Sequence, residues 1–314
     1  MDLSGVLAKF RPELRSQLTS LLAAPDFHGV ISAADAQKLA HAMGSDVYQL
    51  MLALLPLVAE SARPAISHYK VGAVAMGLAG NLYFGMNMEF LGKSLIYTVH
   101  AEQAAVVNAW LNQETGLTAL AVSAAPCGYC RQFLWELATA GKLKIYLPGK
   151  SPRMLADYLP DAFGPGDLGV TGGLLSPQNN HLVLDQPSED PVILAALQAA
   201  NRSYAPYTSL VNPNRGKACY AGVALATADR RLFTGSYGEN AAYNPAILPM
   251  QAALVAMNLH RSYFTPITKA VLVQGHGLGQ DGGNPTCDQQ LVSRDVLQAV
   301  SGTPLTVVLG HQRL

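Results

Sequence analysis

Four side chains in two short strings could together do metal chemistry. His100 and Glu102 lie in Val99-His100-Ala101-Glu102-Gln103, and Cys127 and Cys130 in Pro126-Cys127-Gly128-Tyr129-Cys130. Taken singly, each string is weak. A His-x-Glu commonly opens a surface helix, and an isolated Cys-x-x-Cys can be a redox pair. Together they offer one imidazole and two thiolates, a set that holds Zn²⁺ tetrahedrally and leaves one position for water. A structural zinc takes four protein ligands, and no second Cys-x-x-Cys is present to complete such a set. A carboxylate near the ligands but not needed among them suits hydrolysis, where it moves protons while the metal activates water.

Such residues need rigid elements to aim them. The sequence predicts a helix from His100 to Asn112 and a second from Cys127 to Ala140, with the two cysteines one turn apart at its start. A helix N-terminus stabilises thiolate, and Pro126 fixes the chain entering the second helix. Ser45 to Ala62 has apolar residues at helical spacing, with Asp46 near its start. Val71 to Met76 and Leu82 to Gly85 read as strands joined by a turn at Ala79-Gly80-Asn81. Ala119 to Ser123 and Leu143 to Leu147 read as further strands, and Ser151-Pro152 as the start of a short helix ending at Tyr158. Two strands followed by alternating helix and strand imply an α/β fold, a mixed sheet with helices packed on it.

The pattern then starts again. Gly72-Ala73-Val74-Ala75 answers Gly222-Val223-Ala224-Leu225, Gly85 answers Gly235, and Glu89 answers Glu239, all at an offset of 150 residues. Gapless matches of this kind indicate an internal repeat. At the same offset His100 meets Met250 and Glu102 meets Ala252, and the second copy has only the single Cys287 where a cysteine pair would stand. The repeat therefore keeps the fold without the polar cluster. Four segments follow: an N-terminal helical segment at 1–45, a catalytic domain at 46–166, a Gly- and Pro-rich linker at 167–187 with little structure of its own, and a degenerate domain at 188–314.

Bulk properties narrow the partners. Lys+Arg and Asp+Glu balance at 21 each, so no global field attracts nucleic acid or an anionic membrane. Neither an apolar leader nor a span long enough for a bilayer is visible, and the expected location is the cytoplasm. In that reducing setting the four cysteines make no disulfide framework, and Cys219 and Cys287 are expected to be small buried residues. The seven remaining histidines have no ligand-like neighbours in sequence. Arg131, beside Cys130, is expected to be an exposed helix residue.

The His-x-Glu…Pro-Cys-x-x-Cys pattern is the signature of zinc nucleobase deaminases. With it, three longer strings make the chain resemble the cytidine deaminase family in its long form, a catalytic domain followed by a degenerate copy. They are Phe84-Gly85-Met86-Asn87-Met88-Glu89-Phe90, Tyr158-Leu159-Pro160-Asp161-Ala162-Phe163-Gly164-Pro165, and Gly235 through Pro245. The resemblance runs from about residue 46 to the C-terminus. It implies a duplicated α/β fold with a mixed sheet between helices, in three α/β/α layers. It also implies one Zn²⁺ per chain held by His100, Cys127 and Cys130, with Glu102 as proton shuttle, for hydrolysis of cytidine and deoxycytidine at C4. Asn87 and Glu89 resemble the pair that binds the ribose, and Tyr69 and Ala101 fall at pocket positions. Phe163, Ala242 and Tyr243 resemble residues contributed across a homodimer. At Ala124 the family carries a bulkier aromatic, a departure that bears on the base pocket and not on the metal chemistry. Two other readings stay open: deamination of a cytosine nucleotide, and a non-catalytic zinc-stabilised interaction protein. Against the second stands Glu102, since a structural site has no use for a proton shuttle.

Overall fold

The protein is described here by a computed structural model covering residues 3–207, 219–262, 266–275 and 287–313. The chain divides into two compact units, one of residues 1–89, 98–162 and 258–261, the other of residues 90–97, 163–257 and 262–314.

In the first unit the helices are α1 (Ser4–Leu7), α2 (Pro12–Ala23), α3 (Ala33–Met43), α4 (Val47–Ala59), α5 (Ala101–Leu111), α6 (Gly128–Trp135) and α7 (Leu155–Tyr158). The strands are β1 (Val30–Ile31), β2 (Gly72–Gly77), β3 (Leu82–Met86), β4 (Leu117–Val122), β5 (Lys144–Tyr146) and β6 (Arg153–Met154), in the order β1-β3-β2-β4-β5-β6. All neighbours are antiparallel except β4 and β5, which are parallel. A parallel pair needs a crossover, and α6 lies in it. Helix α4 starts where Asp46 accepts the Gln49 N–H at 2.8 Å, and it buries Leu50, Met51, Leu54 and Leu55.

Two glycines explain the layering. Gly72 pairs with Met86 and Ala73 with Gly85, so Gly72 and Gly85 point to opposite faces of the sheet. A Cβ on Gly72 would lie 2.6 Å from the Leu55 carbonyl oxygen of α4. One on Gly85 would lie 2.2 Å from both the Ala101 carbonyl oxygen and the Ala105 nitrogen of α5. One helix therefore packs tightly on each face. Because the obstacle at Gly85 is backbone, Gly85→Ala is expected to cost about 1–3 kcal/mol by overpacking. Thermal unfolding checks this, and a wild-type Tm would refute the close approach.

The second unit repeats the plan. Strands β7 (Leu182–Leu184), β8 (Ala221–Thr227), β9 (Leu232–Ser236), β10 (Ile267–Gly275) and β11 (Leu305–Gln312) run in the order β7-β11-β10-β8-β9, with β10 and β11 parallel. Gly222 abuts the backbone of helix α8 (Pro191–Asn201), and Gly235 abuts the helix Pro249–Leu259. The glycines that reveal the repeat are thus the points of closest helix–sheet contact in both copies.

Several expectations need correction. The N-terminal segment is not purely helical, because β1 pairs with β3 through Val30 and Tyr83. The helix expected over 127–140 ends at Trp135, and a separate 3₁₀ turn covers Ala140–Lys142. Only Leu155–Tyr158 of the helix expected from Ser151 is helical, since Arg153 and Met154 pair with β5 as β6. The segment read as a linker carries β7, which pairs with β11, and it buries Leu174 and Leu175.

The offset between copies is 150 in the strands but 148 in the helix that follows them. The carbonyl of Ala101 and the nitrogen of Ala105 meet Gly85, as those of Pro249 and Ala253 meet Gly235. His100 therefore answers to Leu248, not Met250, and Glu102 to Met250, not Ala252. The shorter loop before the second helix removes two residues. Loss of the polar cluster from the second copy stands under either register.

The cysteines of the second unit are also not independent. Cys219 and Cys287 form a disulfide across 68 residues of sequence, with their Cα atoms 5.4 Å apart, whereas Cys127 and Cys130 are free. Protein prepared without reductant, then denatured and stripped of metal, should titrate two thiols per chain, and four after reduction. Four thiols before reduction would show the pair to be open.

Candidate active site

Helices α5 and α6 bring the two strings together. His100 is the N-cap of α5 in extended conformation, and Cys127 is the N-cap of α6. Cys130 follows in the first turn of α6 and is buried, while Cys127 is exposed. The His100 Nδ1 lies 3.3 Å from the Cys130 sulfur and 3.6 Å from the Cys127 sulfur. One ligand atom from each of the three residues lies within 4.8 Å of the others, and no other such group of three occurs among the described residues. One nitrogen and two sulfurs converging on one point form a donor set that fits Zn²⁺ with a fourth position open.

The electrostatics fit the same centre. The Cys130 thiol, hydrogen-bonded to Cys127, brings the Cys127 pKa down to about 5, with help from the Cys130 and Tyr129 N–H groups and from His100 and against the effect of burial. That same bond and burial push Cys130 up. A cation bound by both sulfurs requires both as thiolates. Glu102 is 4% exposed, and burial pushes its carboxyl up against the opposing pull of its own N–H, the His100 charge and a hydrogen bond with Cys130. It stands beside the ligand set without being one of the three. A carboxyl raised from the ordinary range by burial is suited to proton transfer.

Asn87 and Glu89 are placed otherwise than a free sugar-binding pair would be. The Asn87 side-chain oxygen accepts the Val71 N–H at 2.8 Å, and its amide donates to the Tyr69 carbonyl at 2.9 Å. Glu89 accepts the Ile66 and Ser67 N–H groups at 2.7 and 2.8 Å and the Ser67 hydroxyl. Burial raises the Glu89 pKa, but these hydrogen bonds and the charge of His68 prevail and hold it low. In the second unit Glu239 accepts the Tyr207 N–H at 2.9 Å in the same way. In both copies the glutamate accepts backbone N–H groups from the segment that follows the preceding helix, α4 or α8. Tyr69, carried on that loop, is 62% exposed, and Ala101 is fully buried in the first turn of α5.

In the second unit Phe163 and Tyr243 are 46% and 57% exposed, and Ala242 is also exposed. Tyr243 has φ +61°, a left-handed conformation uncommon for a bulky residue. It is kept there by its N–H to the Asn240 carbonyl at 2.8 Å and by the Ala246 N–H to its own carbonyl at 3.1 Å. Ala124 is partly exposed. Arg131 is not a free helix residue, since it donates to the Pro126 and Tyr158 carbonyls at 2.8 and 3.1 Å and lies over the Tyr158 ring.

Sequence reasoning assigned no role to Gln103 or Tyr129. The Gln103 oxygen accepts the His100 N–H at 3.0 Å, and Tyr129 shares a hydrogen bond with the Gln103 side chain. Burial raises the Tyr129 pKa to about 12, as do the nearby cysteines, so its phenol stays protonated. The spacing of His100 and Gln103 is that of a capping box and was legible. The partner on another helix was not.

Two family models, each described as the cytidine and deoxycytidylate deaminase zinc-binding region, match residues 45–146 and 155–279. A cytidine deaminase of Yersinia pestis (strain Pestoides F) is 44% identical over 269 residues, which is 86% of this chain and 88% of the relative. One from Yersinia pseudotuberculosis serotype O:3 (strain YPIII) has the same identity and coverage. The crystal structure of a cytidine deaminase from Mycobacterium tuberculosis is 34% identical, covering 37% of this chain and 97% of its own, with a TM-score of 0.35. One from Burkholderia pseudomallei is 28% identical, covering 37% and 98%, with a TM-score of 0.33.

Proposed function

The chain belongs to the cytidine and deoxycytidylate deaminase family, and from that premise we propose that it hydrolyses cytidine and deoxycytidine to the uridine products and ammonia. It does so with one Zn²⁺ per chain. The observation that carries this reading is the convergence of His100, Cys127 and Cys130 beside the buried carboxyl of Glu102.

His100, Cys127 and Cys130 would hold the zinc, which would lower the pKa of a water in its fourth position. Glu102 accepts a proton from the attacking water and delivers it to N3 of the pyrimidine. It then carries that water's second proton to the amino group, which leaves C4 as ammonia while the C4–oxygen bond becomes the carbonyl of uridine. Tyr69, Asn87, Glu89 and Ala101 form the side of the pocket that receives the nucleoside. Asn87 and Glu89 act there chiefly by holding the 66–71 loop and Tyr69 in place.

The enzyme works as a cytoplasmic homodimer, with Phe163, Ala242 and Tyr243 of each subunit reaching the other's pocket. What supports this is the exposure of both aromatic rings and the left-handed backbone at Tyr243, since strain of this kind collects at functional sites. Among the described residues no single helix is long and apolar enough to cross a membrane. Ammonia and uridine release from cytidine, with zinc measured on the same sample, tests the function. Turnover of cytidine 5′-monophosphate but not of cytidine would overturn the nucleoside assignment. Two zinc ions per chain would overturn the degeneracy of the second copy.

A further inference from the structure

We propose that Tyr129 is a positioning residue that, through Gln103, braces the two ligand-bearing helix starts against each other. The inference rests on the zinc reading above and adds a residue with no ligand or proton-transfer role.

His100 lies outside the first turn of α5, with ψ 156°, so its N–H cannot join the helix. Gln103 reaches back from that turn and supplies the acceptor at 3.0 Å. This bond fixes the backbone from which the imidazole projects toward the two sulfurs. Gln103 is 2% exposed, so its amide NH₂ also needs a partner inside the protein. With the oxygen turned to His100, the NH₂ faces the Tyr129 phenol, whose oxygen accepts. Tyr129 sits between Cys127 and Cys130, and its ring centroid is 5.8 Å from that of His100 at a 30° tilt. One chain of bonds therefore runs from the N-cap of α5 to the first turn of α6.

The second copy provides an internal control. Gln251 takes the place of Gln103, and its oxygen accepts the Leu248 N–H at 3.0 Å. Its amide donates to the Tyr97 backbone carbonyl at 2.7 Å. The glutamine cap thus belongs to the fold and persists where no metal ligand remains. What differs in the first copy is how the amide is satisfied, by a side chain from the first turn of α6. Groups that orient a metal's ligands typically change metal affinity about 10–100-fold when removed.

The test is zinc release from the intact enzyme to an excess of chelator, with the visible spectrum of the Co²⁺-substituted protein as a second readout. Tyr129→Phe keeps the ring beside His100 and removes only the oxygen. It should release zinc about 10-fold faster or more and alter the Co²⁺ bands. Gln103→Ala should act similarly, and the double variant should lose no more than the worse single one, because both break the same chain. Wild-type release and spectrum in Tyr129→Phe would overturn the brace, as would full additivity in the double variant. A wild-type enzyme that binds no zinc would instead refute the reading of the site itself.

Discussion

Glu102→Ala is expected to keep its fold and its zinc while kcat falls by about 10²–10⁴-fold, the range of a single general acid–base group. Glu102 is not among the three atoms that fit a metal, so its removal leaves the ligand set whole. It lies at the start of α5, whose capping by Gln103 does not involve it. On the proposed mechanism the variant loses a group that serves more than once per turnover, as acceptor from water and then as donor to N3 and to the leaving amine. Burial matters here. An ordinary carboxylate is a weak base and is seldom protonated near neutral pH, whereas burial raises the Glu102 pKa. Steady-state rates with zinc content checked on each sample make the measurement, and near-normal kcat in zinc-loaded Glu102→Ala would falsify the shuttle.

A mixture of two inactive full-length variants, Glu102→Ala and Tyr243→Arg, should regain activity after dissociation and reassociation. If Tyr243 closes the partner's pocket, each heterodimer has one site carrying both faults and one carrying neither. Random reassociation under closed two-fold symmetry makes about half of the dimers mixed, so roughly a quarter of wild-type activity should return. The arginine is chosen because Tyr243 is exposed in its own chain, where a charge can be accommodated without unfolding it. If Tyr243 acts within its own chain, every heterodimer site has one fault and nothing returns.

The metal centre was legible because its chemistry depends on residue type and short spacing. His100, Glu102, Cys127 and Cys130 lie within two local strings, and a helix start at each brings them together. Gly72, Gly85, Gly222 and Gly235 were legible for a related reason. Only glycine lets a helix backbone approach a strand so closely, and that need repeats with the fold. Glu89 and Glu239 also matched in sequence, but the structure gives the match a different meaning. Both accept backbone N–H groups, so their recurrence alone does not identify a sugar site.

By itself the sequence determined the reaction class and the doubling of an α/β plan, and it singled out the three candidate metal ligands and the candidate proton-transfer residue. Each follows from side-chain chemistry or from periodicity over a few residues. Only the tertiary structure decided the two-residue shift between copies, the Cys219–Cys287 disulfide, the strands β1 and β7, and the brace from Tyr129 to Gln103. These depend on partners far apart in the chain or on different elements. A disulfide across 68 residues leaves no local spacing to read, and a two-residue strand has no period. Tyr129 acquires its partner only when α5 and α6 bring their first turns together, a juxtaposition fixed by packing on the sheet.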